Sequence, residues 1–327
     1  GFDETQLLTL AASLERASEH PLGVAIVTAA EDRKLKLSAP SDVDSPVGKG
    51  LTGTVEGRRI LIDTKHMSIA TRQAFYAIVR RKREEENDLI PIVHSHAAVS
   101  GWNTLAEAAD KADNKDLDKD QFFSRWQINL TNEDILATYD SDGLIGVVLH
   151  EGRMPGEAFH KQVRQLRKKI RRLRADDRRR LYLERSLLDL YLKLVWSTIF
   201  HMIKVVHDGR QANGWKMIVL GSDYDGLVDP ISPFPEVNSF QELREELIHY
   251  LNAGEEIYFL KNGEAKVMPL AEVRQLQFGQ SAEQLLNGIL GGNTQRFLAK
   301  YFREEYLLDR SAKWPAFEQV QNDLAVR

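Results

Sequence analysis

Four short apolar runs set the frame for what this chain can fold into. They span Ile60–Asp63, Ile90–His96, Leu144–His150 and Met217–Asp223, and each precedes a polar loop and a long segment of helical spacing. Short buried runs alternating with helices predict βα units and a parallel sheet. In such folds the chemistry gathers at the C-terminal ends of the strands. His and Asp cluster at those ends here: His66 lies just past the first run, His94 and His96 close the second, and Asp223 and Asp225 follow the fourth.

Upstream, residues 4–16 and 22–31 carry apolar residues at helical spacing, with Pro21 at a helix-entry position. The stretch SPVGKGLTGTVEGRRILID follows, and its Glu56-Gly57 pair suits a hairpin turn. Two helices and a hairpin are therefore expected before the βα region. The segments 110–120 and 254–268 read as loops. Residues 161–185 hold twelve Lys/Arg against three Asp/Glu. Such a stretch can contact anions or nucleic acid, but the aromatic side chains that base stacking requires are sparse, which favours a solvated helix face.

Composition excludes several function classes. With no Cys in 327 residues, disulfide scaffolds, thiolate zinc sites, iron–sulfur clusters and Cys nucleophiles are ruled out. A net charge of −4 gives no overall pull toward nucleic acid, so no nucleic-acid partner is expected. The longest apolar stretch, Leu187–Val206, is interrupted by Asp189, Lys193, His201 and Lys204, and no membrane span is expected from it. The sequence opens GFDETQLL without a basic segment leading an apolar run, so a cytoplasmic location is the default expectation.

His and Asp are ligands that borderline and hard divalent metals accept, and residues two apart on a strand share a face. His66, His94, His96, Asp223 and Asp225 could thus converge on a hydrolytic Zn2+ or Mn2+ centre. Nine His in a chain of this length are also unremarkable in themselves.

The ordered set RILIDTKHMS (59–68), PIVHSH (91–96) and GSDYDG (221–226), extended by INLTNEDI (128–135), LIGVVLHEGRMPG (144–156) and LLNGILGGNTQRF (285–297), resembles the second half of the membrane (renal) dipeptidase family of metal-dependent amidohydrolases. The likeness covers roughly residues 58–305. It implies strands five to eight of a (β/α)8 TIM-type barrel and a metal-activated water that hydrolyses dipeptides or related amides. It further implies that His66 and His96 are ligands of one metal and that Asp223 faces the metal-bound water; it implies no ligand role for the neighbours His94 and Asp225, which are candidates for supporting those ligands. Residues 1–57 hold no His-x-Asp pair for the family's first metal, and Ile128 stands where its substrate-carboxylate Arg is expected, with Arg125 close by. Half a barrel would expose sheet edges through which two copies could pair as a homodimer.

A second likeness lies at the N-terminus. LAASLERASEHPLGVAIVTAA followed by SPVGKGLTGTVEGRRILI is similar to part of the nucleotide-binding domain of copper-transporting P-type ATPases. The resemblance implies that Glu15 and His20 contact adenine and that Gly48 and Gly50 let an ATP molecule approach the backbone. Neither the Asp-Lys-Thr-Gly-Thr nor the Thr-Gly-Asp-Asn motif of those pumps is present. The expected organisation is α/β. A small α+β nucleotide-binding segment at 1–62 precedes a dipeptidase-like half barrel with a helical C-terminus at 63–327, joined as a chimera in mid-fold.

Overall fold

The computed structural model of the chain describes residues 5, 9–10, 12–13, 27–28, 30–39, 41–44, 52–54, 63–111, 121–224, 229–261 and 263–301. The chain divides into two compact units. One comprises Gly1–Ile62, Ala70–Ala77 and Leu298–Arg327, the other Asp63–Ile69 and Ile78–Phe297.

In the first unit, β1 (Ser41–Asp44) and β2 (Thr52–Thr54) form an antiparallel pair with Ser41 opposite Thr54 and Asp44 opposite Thr52. An antiparallel pair is therefore present in this region; the expected turn at Glu56-Gly57 lies outside the described residues.

The second unit is built on a three-stranded parallel sheet. β3 (Val93–Ala97), β4 (Leu144–Val147) and β5 (Ile218–Leu220) lie side by side in that order. Val93 pairs with Leu144 and Ile145 with Ile218, with a register shift between His94 and Ala97. Three of the four expected strands are therefore present. The fourth is represented by Asp63, which bridges Val93 in parallel. No closed barrel forms among the described residues.

The spacing between strands is tight. A Cβ on Gly146 or on Gly221 would run into the carbonyl oxygen of Ser95, so these two positions accept hydrogen and nothing larger. Helices fill the connections: α1 (Ile69–Glu86), α2 (Leu105–Asp110), α3 (Asn132–Asp140), α4 (Glu157–Arg171) and α5 (Arg178–Arg210). Thr131 starts α3 with a capping box in which its side chain and that of Asp134 each satisfy the other's backbone N–H.

Helix α5 is the centre of the core. By length and composition it is long and apolar enough to cross a bilayer, against the expectation from its interrupting charges, and 72% of its apolar window is buried inside the protein. Trp196 is fully buried and donates from Nε1 to the Leu247 carbonyl at 2.9 Å. Trp215 donates likewise to Leu276 at 2.7 Å, and Phe200 stacks edge-on against it. The polar interruptions are absorbed in place: Lys193 reaches Glu256, and Lys204 reaches Glu272 and Asp208.

Beyond the sheet come α6 (Phe240–Ala253), a hairpin of β6 (Tyr258–Lys261) and β7 (Glu264–Val267), then α7 (Leu270–Leu276), α8 (Ala282–Asn287) and α9 (Asn293–Tyr301). The hairpin corrects the expectation of a loop over 254–268. Gly263 lies between the two strands at φ 78°, a conformation that hairpin turns demand and glycine adopts freely. The outer edge of β5 is not left bare. Asn293 Nδ2 donates to the carbonyls of Trp215 (2.9 Å) and Ile218 (2.7 Å), and Arg296 donates to that of Lys216 (2.6 Å).

Candidate functional site

The C-terminal ends of the strands carry the polar cluster. Asp63 Oδ1 accepts from Lys65 N (3.0 Å) and Ser95 N (3.1 Å), which pins the Thr64–Met67 turn to β3. Thr64 N continues the ladder to Val93 O at 2.9 Å. The turn throws His66 into a left-handed conformation, φ 71°, an uncommon state for a side-chain-bearing residue. That conformation brings its ring to β3: His66 Nε2 lies 3.0 Å from His96 Nε2, with ring centroids 5.0 Å apart. His96 Nδ1 meets Ser95 Oγ at 2.8 Å. On the other side, Asp223, also left-handed at φ 58°, places Oδ2 3.5 Å from His96 Nε2.

Thus His66, His96 and Asp223 converge, from the turn after Asp63 and the ends of β3 and β5. His94 is buried instead, with Nδ1 2.7 Å from Thr64 Oγ1, and it supports the turn that carries His66. Asp225, Glu15, His20, Gly48 and Gly50 lie outside the described residues.

Two cations border the cluster. Burial, reinforced by Lys65 and Arg153, holds the His66 pKa below the ordinary histidine value. Burial lowers His96 too, while Asp223 pulls it the other way. Both imidazoles are therefore neutral at pH 7, the form that accepts a proton or a metal. Sequence inspection passed over His150, which ends the third run and whose pKa burial and Arg153 also lower; its Nδ1 accepts Gly152 N–H at 2.7 Å. The strand-end placement that singled out His66 and His96 applies equally to it.

Glu151, next in the chain, is buried but engaged. Its Oε1 accepts from Ser232 N (3.0 Å), from Ser232 Oγ (2.6 Å) and from the Tyr191 hydroxyl. Burial raises its pKa, but these bonds outweigh burial and hold it low, so Glu151 serves as a fixed anion that ties the strand end to α5.

Two imidazoles and a carboxylate suit a borderline divalent cation chemically. Their present spacing is that of a hydrogen-bonded imidazole pair with a carboxylate 3.5 Å from one ring. Among the described residues, no group of three or more His, Asp or Glu forms a metal shell. The implied Zn2+ or Mn2+ centre does not fit the residues as they are arranged. The expected two-His shell required side chains parted around an ion, and here they bond each other.

A cavity of about 660 Å3 lies elsewhere, lined by Leu89, Gly143 and Met217, which precede β3, β4 and β5, together with Arg83, Asp140 and Lys216. It is at the N-terminal end of the sheet, opposite the histidines.

No family model matches the chain. Its relatives are heavy-metal pumps. It is 42% identical over 59 residues to a silver exporting P-type ATPase of Salmonella typhimurium, covering 18% of this chain and 7% of that protein. It is 46% identical over 61 residues to a copper-exporting P-type ATPase of Legionella pneumophila, covering 19% and 8%. Identity is 33% over 113 residues to copper-exporting P-type ATPase B of Archaeoglobus fulgidus, covering 33% and 16%. The chain thus spans at most 16% of the length of these three relatives. The N-terminal likeness to such ATPases is supported, and the dipeptidase likeness has no counterpart among these relatives.

Proposed function

We propose that residues 1–62 bind an adenine nucleotide, with His20 and Glu15 at the base and Gly48 and Gly50 where the ligand passes the backbone. The observation that carries this reading is the 46% identity over 61 residues to a copper-exporting P-type ATPase, in a chain whose own sequence holds Ser-Glu-His-Pro-Leu and Gly-Lys-Gly. The matched 61 residues are 8% of that pump, and nucleotide binding is the activity proposed for them. Titration calorimetry with ATP tests it. Wild type should bind, and His20→Ala should weaken binding about tenfold, the equivalent of about 1.4 kcal/mol. Equal binding by both proteins, or none by either, rules the reading out.

A further inference from the structure

We propose that the tip of the α4–α5 helical hairpin is a docking surface for an anionic lipid bilayer. Helix α4 buries Phe159 and Val163 on one stripe. Its opposite stripe is cationic, with Lys168, Arg171 and Arg172 exposed in the final turns beside Lys169. A short turn, 172–177, leads into α5 at Arg178. The turn is ordered by backbone hydrogen bonds from Leu173 N to Ile170 O and from Asp177 N to Arg174 O, both near 3.1–3.2 Å.

Neighbouring cations are neutralised within the protein: Arg164 by Glu157, Arg179 by Asp177, Arg180 by Glu184 and Arg185 by Glu246. Lys168, Lys169, Arg171, Arg172 and Arg178 form no ion pair among the described residues. They concentrate unneutralised positive charge at one hairpin tip of a protein whose net charge is −4.

The same tip exposes two large apolar side chains, Leu181 (68% exposed) and Tyr182 (73%). They stand three and four residues beyond Arg178 and so share its helical face. An aliphatic chain and an amphipathic ring within a cluster of free cations match the layered chemistry of a bilayer surface. The apolar groups enter the headgroup–acyl boundary while the cations meet lipid phosphates and carboxylates. A polynucleotide has no use for Leu181, and its bases need several stacking rings where this tip offers one. A protein partner would need a larger apolar centre than two side chains provide.

Sedimentation of the full chain with vesicles of phosphatidylcholine, alone or mixed with phosphatidylserine, tests the proposal. Wild type should pellet only with the mixed vesicles, and added salt should release it. K168Q/K169Q/R171Q/R172Q should lose binding by roughly fivefold per cation removed, and L181S/Y182S should weaken it by at least about tenfold. All six side chains face solvent, so circular dichroism should be unchanged in both variants. Equal pelleting with both vesicle types, no pelleting, or insensitivity to either variant overturns the proposal. So does binding of DNA or RNA in the same buffer that is tighter than vesicle binding and persists in L181S/Y182S.

Discussion

His66 and His96 face each other nitrogen to nitrogen at 3.0 Å, so one ring must donate and the other accept. Two imidazolium ions at that distance would repel, and burial adds to the cost of charging either. Lys65 and Arg153 oppose protonation of both rings, and Asp223 favours it. The signs predict opposite responses to two substitutions. Arg153→Gln should raise the pKa of His66, and Asp223→Asn should lower that of His96 further. Histidine NMR titrations measure both, and a rise at His96 in Asp223→Asn would contradict the assigned geometry.

His201 sits on α5 fully inside the core. Its Nε2 faces Asn132 Oδ1 at 3.1 Å, and its Nδ1 accepts Leu260 N–H at 3.2 Å, so a second ring proton would collide with a donor. Burial, with a smaller push from Lys204, lowers its pKa from 6.5 to about 4. The unfolded chain takes up a proton at higher pH than the folded one does. Stability should therefore fall as pH drops from about 6.5 to about 4, by about 3 kcal/mol, and level off below. Urea unfolding across that range checks it, and in His201→Gln the dependence should flatten by up to one proton.

Trp196 fills the space between α5, α6 and the Trp215–Phe200 pair. Trp196→Ala should destabilise the fold by about 3–5 kcal/mol, through lost burial and the cavity left behind. Chemical denaturation gives the value; a loss below about 1 kcal/mol would mean the helix is not packed as described.

Gly146 and Gly221 approach the same backbone oxygen, that of Ser95, which cannot rotate out of the way as a side chain would. Gly146→Ala should cost about 1–3 kcal/mol by forcing the strands apart. Thermal melting should show the drop, with Gly279→Ser as a comparison where nothing lies within 4 Å, although its φ of 73° adds backbone strain.

Asn293 Nδ2 bridges two carbonyls at the outer edge of β5. Asn293→Ala should lose about 1–3 kcal/mol by leaving them unsatisfied. It should also raise self-association relative to wild type by baring a strand edge, which sedimentation velocity would detect. An unchanged sedimentation profile together with unchanged stability would refute this role.

Strands β4 and β5 are readable because buried parallel strands are short continuous apolar runs, and LIGVV and MIVL are such runs, whereas β3 is VHSHA. Their bounds are less so. The third run continues into Val148 and Leu149 with no change in residue type, although β4 stops at Val147, and only pairing with a neighbour decides where a ladder stops. The β6–β7 hairpin was missed because Tyr258–Lys261 and Glu264–Val267 are each four residues long and partly polar. The Asn-Gly pair between them in the sequence was the available signal. His94 and His96 looked equivalent at a spacing of two, but a register shift between His94 and Ala97 interrupts the regular ladder there. His94 goes to Thr64 in the interior and His96 to the open strand end.

Composition and pattern alone determined that no thiol chemistry operates in this chain, that its second unit is built on βα units, and that His and Asp gather where strands end. Those properties are carried by residue type and spacing, which the linear chain contains in full. Only the tertiary structure decided which of those residues meet. The left-handed turns at His66 and Asp223 aim two side chains at His96, and the Asp63 carboxylate holds the first of those turns against β3. It also decided that the meeting is a hydrogen bond at 3.0 Å, because ångström-scale separations depend on how the Asp63 turn and β3 pack, and no residue spacing encodes them.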